Sequence, residues 1–305
     1  MKETYTVAQN AFTVSAADDL PAWQAMKRRY SPFGVASCAE TVLEAHIKAC
    51  PLPHCEAEMI YEPAPSEISL IRPRASRLPD AGLLIEFMVG EEEKPRVMMT
   101  LPPAFDKADI MLSPDCGRSD GYILTHALMI AYLLATAHTG TVLIHASAVL
   151  CEGKAYLFQG KSGTGKSTHA SLWTGNIAGA ELLNDDHPVI RFGADGIAMA
   201  YGSPWSGKTH CYRNASAPIG AFTRIVRAKE NSLHRLPPLR AYASLTASVF
   251  FMPFVGEDLI EARHKTIERL AQTVPCCEMH CRPDADAALT CRRGLAEIAK
   301  ESTNI

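Results

Sequence analysis

Gly160-Lys161-Ser162-Gly163-Thr164-Gly165-Lys166-Ser167 is the segment of this sequence with the most specific chemistry. Its spacing, G-x-x-x-x-G-K-S, suits a loop that grips phosphate. Glycines allow a tight turn in which successive N–H groups point inward at phosphate oxygens. A helix starting near Lys166 adds the partial positive charge of its N-terminus. Lys166 supplies a full charge for the β- and γ-phosphates, and the Ser167 hydroxyl suits a magnesium ion. The flanks fit: Tyr156-Leu157-Phe158 reads as a strand before the loop, and Thr168 onward continues as a helix.

Two features stand near this loop. Val142–Leu150 and Ala155–Gln159 read as strands joined through Glu152-Gly153. If they form a hairpin in which Cys151 faces Lys154, His145 falls opposite Gly160, where it could meet the γ-phosphate, a metal or an attacking group. The second feature is Asp185-Asp186, which follows a strand at Glu181–Asn184. Strand, crossover helix and strand normally run parallel, so the aspartates reach the same edge as the loop. Hard carboxylate oxygens suit Mg²⁺ or Mn²⁺. One aspartate would hold the metal and the other would accept a proton from a hydroxyl. Asp185 leans toward the base, and Asp186 toward the metal with Ser167; adjacency alone does not separate them.

These residues sit within a recognisable frame. Strands are expected at Thr41–Lys48, Leu83–Val89, Arg96–Leu101 and Ala108–Leu112, separated by turn-forming segments, so residues 1–118 read as a β-rich N-terminal region. Residues 119–305 read as the nucleotide-binding domain. It opens on a helix at about Gly121–Ala137, with further strands at Val189–Phe192 and Phe222–Ala228 and an extended segment at Cys277–Cys281. Helices are expected at Lys166–Gly175, Leu239–Phe250, Leu259–Thr273 and Ala285–Ala299. The class is α/β locally and α+β overall.

The chain has 305 residues, 47% hydrophobic, with net charge −3 and no long basic block, so charge gives no reason to expect nucleic acid. The apolar run Tyr122–Ala137 is too short for a comfortable membrane span and reads as a buried helix. The N-terminus lacks the pattern of a secretory signal, and ten scattered cysteines read as mostly free thiols, which together point to the cytoplasm.

Three blocks carry a resemblance: Ile144-His145-Ala146-Ser147-Ala148-Val149, Phe158-Gln159 through Thr168, and Leu183-Asn184-Asp185-Asp186-His187. They resemble the superfamily of HPr kinase/phosphorylase and ATP-dependent phosphoenolpyruvate carboxykinase, and more narrowly the small bacterial HPr-kinase-like proteins. Gly202 through Lys208, Tyr212 through Pro218, and the Val274-Pro275 and Arg282-Pro283-Asp284 segments fit the narrower likeness. The resemblance implies a P-loop kinase domain with a mixed sheet, ATP and a divalent metal as cofactors, and phosphoryl transfer. It makes His145, Asp185 and Asp186 active-site residues and adds Thr168 to the nucleotide loop. The acceptor expected on this reading is a protein or peptide serine or a small alcohol, and homo-oligomer formation stays open.

Competing readings are a nucleotide-binding regulatory module without efficient transfer, and carboxykinase chemistry, which the short chain disfavours. Lys208 and Arg213, in a Gly- and Ser-rich connection, are further cations that could stabilise a transferring phosphate. Trp205 would either shape a pocket or pack that connection onto the core. Cys276, Cys277, His280 and Cys281 alternate faces if extended, which favours core packing over zinc.

Overall fold

The computed structural model describes residues 1–303 apart from 37, 39, 64–69 and 208, with 302 and 303 as backbone only. Lys208, one of the expected cations, therefore lies outside the described residues. The chain forms two compact units, residues 1–137 with 252–256, and residues 138–251 with 257–305.

In the first unit, β1 (Lys2–Val7), β2 (Asn10–Ala16), α1 (Pro21–Tyr30), β3 (Gly34–Val35), β4 (Leu43–Ala49), β5 (Glu58–Tyr61), β6 (Ile71–Arg77), β7 (Leu83–Val89), β8 (Val97–Leu101) and β9 (Lys107–Leu112) precede α2 (Gly121–Thr136). The nine strands form one mixed sheet ordered β3-β1-β2-β4-β9-β8-β7-β6-β5. Only β2–β4 and β4–β9 are parallel among its described pairs. The helix α2 is apolar on nearly every face and packs on α1, β4 and β8. Its Tyr132 hydroxyl donates to the Val7 carbonyl at 2.9 Å and accepts from Asn10 at 3.2 Å. These contacts group the helix with the first unit, so the break in contacts falls after residue 137, not at 118. With its flanking turns it is the one described helix long and apolar enough to cross a membrane, and 72% of that window is buried within the protein.

The second unit contains β10 (Val142–Leu143), β11 (Ala146–Cys151), β12 (Lys154–Gln159), α3 (Lys166–Asn176), β13 (Glu181–Asp186), β14 (Val189–Phe192), β15 (Ala198–Tyr201), β16 (Ser216–Arg227), β17 (Ser232–Arg235), α4 (Pro238–Thr246), α5 (Glu257–Thr273), β18 (Cys276–Cys281) and α6 (Ala285–Thr303). Its sheet runs β10-β14-β15-β16-β12-β11-β13, with β18 pairing β16 and β17. The pairs β12–β16 and β16–β18 are parallel and the others antiparallel, a second mixed sheet.

Side-chain alternation gives this sheet two buried faces. Leu157, Leu183, Phe222 and Cys276 pack with Leu245 of α4 and Leu270 of α5. Phe158, Ile225, Cys277 and Cys281 pack with Trp173 of α3 and Leu295 of α6. Cys276 and Cys277 thus serve opposite cores, as alternation in a strand requires.

Two expected elements end early for one reason. The strand expected over 142–150 breaks at Ile144-His145, and the helix expected over 239–250 stops at Thr246. The freed segments pair with each other: Ile144 bridges Val249, His145 N–H donates to Ser248 O at 2.8 Å, and Phe250 N–H donates to Leu143 O at 2.9 Å. Tertiary pairing here overrides local helix propensity.

His169 of α3 anchors that helix to the sheet. It is buried, packs edge-on against Phe158 at 4.7 Å, and accepts from Trp173 Nε1 at 3.2 Å. Burial pushes its pKa from 6.5 down to about 4. The folded ring stays neutral where the unfolded one takes a proton, so its contribution is full above pH 6.5 and is lost as pH falls toward 4. We expect wild type to lose roughly 3 kcal/mol more stability than His169→Leu between pH 7 and pH 4. Equal losses in urea unfolding at the two pH values would contradict this.

Candidate functional site

The loop between β12 and α3 depends on glycine. Gly160, Gly163 and Gly165 have φ of +148°, +78° and +108°, a region that side chains disfavour. At Gly160 space is short as well: a Cβ there would lie 2.8 Å from Thr164 Oγ1. Thr164 closes the turn, its N–H and hydroxyl both donating to the Lys161 carbonyl at 3.2 and 2.8 Å. The N–H groups of Ser162, Gly163 and Gly165 meet no acceptor among the described residues. Ser162, Gly163, Ser167 and Thr168 are exposed.

Lys166 is buried at the first position of α3, and its amine donates to Gly160 O at 3.0 Å. Burial lowers its pKa, while the carboxylates of Asp186 and Asp185 act in the opposite sense. Loop, lysine and both aspartates therefore form one electrostatic unit.

The sheet register explains how they meet. Ala146 of β11 pairs with Gln159 on one side and Asp186 on the other. The hairpin has the expected alignment, Cys151 facing Lys154; its ladder ends at Ala146 and Gln159, and the next residues outward, His145 and Gly160, line one cavity. Strands β12 and β13 run the same way with β11 between them, so both end at one edge. There His145 Nε2 lies 3.3 Å from one oxygen of Asp186, and His187 Nδ1 lies 3.2 Å from the other. The two imidazoles stack with centroids 6.0 Å apart.

The aspartates differ in surroundings. Asp185 is buried at 4% exposure and accepts from the Ser147 hydroxyl at 2.5 Å. The Asp186 side chain is 33% exposed. Burial would raise its pKa, but hydrogen bonds from His145 and His187, reinforced by the charge these rings carry when protonated, hold it well below the usual carboxylate range. Its φ of +148° is unusual for a residue with a side chain. Neighbours hold it there: Asp186 bridges Ser206, and Gly207 N–H donates to Asp185 O at 2.6 Å. A Cβ on Gly207 would come within 3.2 Å of the Asp186 side chain, so this close approach uses glycine. Trp205 is buried beside the Asn184 amide, which donates to its carbonyl at 3.3 Å; it packs the connection onto the core.

Arg213 is not brought to this edge. Its guanidinium pairs with Glu181 at 2.6 Å and donates to Leu182 O at 3.1 Å. Those partners begin β13, roughly 16 Å of strand from Asp186. The expected catalytic cation is thus held at the wrong end by a nearby carboxylate.

Sequence reasoning missed other groups. A cavity of about 730 Å³ opens beside the loop, lined by His145, Lys161, Arg224, Arg227 and Arg240 among others. Arg224 and Arg227 follow Phe222 in β16 and reach the loop because β16 pairs in parallel with β12, Arg224 facing Gln159. Their i, i+3 spacing in a half-polar strand gave no local signal. His187 was visible only as a neighbour of the aspartates. Among the described residues no group of three or more His, Cys, Asp or Glu could hold a metal.

No family model matches the sequence, and no curated protein matches it. Among solved structures, the chain is similar to the HPr(Ser) kinase/phosphatase from Coxiella burnetii, at 9% identity over 53% of this chain and 95% of that one, with a TM-score of 0.33.

The loop geometry has a direct consequence. Gly160→Ala and Gly163→Ala both place a side chain at positive φ, but only the first meets Thr164. We expect Gly163→Ala to cost about 1 kcal/mol and Gly160→Ala about 1–3 kcal/mol more. Equal urea midpoints for the two variants would contradict this account of the loop.

Proposed function

We propose that the chain is an ATP- and magnesium-dependent phosphotransferase that moves the γ-phosphate to a hydroxyl acceptor. The observation carrying this reading is the placement of Lys166. A buried ammonium sits at the start of a helix, on the carbonyl of a triple-glycine loop, within the field of two aspartates. Amides free of protein acceptors and a helix N-terminus around one lysine form an anion cradle.

Phosphates of ATP occupy residues 160–168 in this reading. The Lys166 amine exchanges the Gly160 carbonyl for phosphate oxygens. The donor set fits magnesium, which takes few protein ligands and keeps water and phosphate oxygens. Asp186, ionised and partly exposed, and the exposed Ser167 hydroxyl would hold it. When bound, the ion neutralises charge on the phosphates and aligns them.

Geometry also supports a choice of base. His145 is the titratable group of the triad His145–Asp186–His187 that lines the cavity. With Nε2–H directed at Asp186, its Nδ1 carries the lone pair and has no partner among the described residues. We assign His145 to take the proton from the acceptor hydroxyl, with Asp186 orienting the ring and stabilising its protonated form. Asp185, buried under Ser147, fixes the end of β13.

Binding of a non-hydrolysable ATP analogue with magnesium, together with label transfer from γ-labelled ATP in a metabolite pool, tests this assignment. Lys166→Ala is expected to weaken nucleotide binding at least about 10-fold. His145→Asn is expected to leave affinity within about 3-fold while label transfer falls roughly 100-fold or more. Nucleotide binding with no labelled product from wild type would favour a regulatory module, and parental behaviour of both variants would refute the site.

A further inference from the structure

The cavity beside the loop carries more positive charge than the nucleotide reading uses. Lys161 of the loop, Arg224 and Arg227 of β16 and Arg240 of α4 all line it, against the single carboxylate of Glu278. Glu278 engages Arg224 at 3.3 Å. Arg227 donates to the Gly163 carbonyl. Arg240 is exposed and has no ion pair among the described residues. The α4 side of the cavity is made of Ala243, Ser244, Ala247 and Ser248, small residues that leave room in front of the arginines.

A charge comparison separates two ligands, taking the proposed nucleotide site as given. Magnesium-bound ATP keeps about two negative charges, which Lys161 and Lys166 match. Arg224, Arg227 and Arg240, all exposed residues of the cavity lining, are then left with one glutamate among them. Guanidinium groups gathered in a recess repel one another unless an anion joins them, and their planar forks suit phosphate oxygens.

We propose that Arg240, with Arg224 and Arg227, forms a second anion subsite that binds the phosphate of the phosphoryl acceptor. The acceptor is then a small hydroxy compound that already bears a phosphate, not a neutral alcohol. Its phosphate rests on the arginines and its hydroxyl faces the loop. The hydroxyl oxygen forms a bond to the γ-phosphorus, and its proton passes to His145. The bond from that phosphorus to the β–γ bridging oxygen breaks, and the electron pair leaves with ADP.

The test uses the full chain saturated with a non-hydrolysable ATP analogue and magnesium, so that the loop is filled. Inorganic phosphate and malonate are then titrated by calorimetry into wild type and Arg240→Ala. The proposal expects phosphate to bind the loaded protein and to lose about 10-fold or more in affinity in Arg240→Ala. Nucleotide affinity should be the same in both. Malonate binding more tightly than phosphate with the same dependence on Arg240 would overturn the phosphate assignment in favour of a dicarboxylate. Phosphate that fails to bind, or binds both proteins equally, would overturn the subsite while leaving the nucleotide reading intact. If the analogue itself does not bind, the nucleotide reading fails, and this proposal fails with it.

Discussion

One hydrogen-bonded row across three strands positions the site: Gln159, Ala146 and Asp186 lie side by side because β11 pairs antiparallel with both β12 and β13. From that row the chain extends outward in three ways, into the glycine-rich loop, to His145 and to His187. A one-residue slip in either pairing would turn every side chain of the slipped strand to the opposite face. It would also separate His145 from Asp186. The register is secured by burial on both sides, with Leu157 and Leu183 serving one core and Phe158 serving the other.

Charge is the second constraint. Burial works against the charged forms of Lys166 and Asp186, and neighbours favour them: Asp186 and Asp185 for the lysine, His145 and His187 for the aspartate. Leaving one of these groups without partners would be costly in such surroundings. Rigid groups already oriented toward a ligand are what phosphoryl transfer requires, because positioning and electrostatics supply most of its rate. Asp186 adds an unusual positive-φ backbone, held by Ser206 and Gly207.

Much of this site was legible in the sequence, because its signals are local. The loop spacing, the turn at Glu152-Gly153 and the strand before Asp185 lie within about forty residues. Hairpin alignment followed from a two-residue connection, and Leu83–Val89 and Val189–Phe192 appeared at the expected positions. The first hairpin, β1–β2, was missed because its turn is Ala8-Gln9. Both residues adopt positive φ without the glycine or asparagine that normally marks such a turn. Arg224 and Arg240 were missed since only the parallel β12–β16 pairing and the packing of α4 bring them to the loop. Arg213 was misplaced by the opposite error: a charge near in sequence was read as near in space, while Glu181 holds it elsewhere.

A crystal structure of the chain with magnesium and a non-hydrolysable ATP analogue tests the central claim most directly. The account predicts β- and γ-phosphates against the amides of residues 160–167, with the Lys166 amine moved from the Gly160 carbonyl onto phosphate oxygens and His145 facing the terminal phosphate. A nucleotide bound in another cleft, with Lys166 still on Gly160, would contradict it.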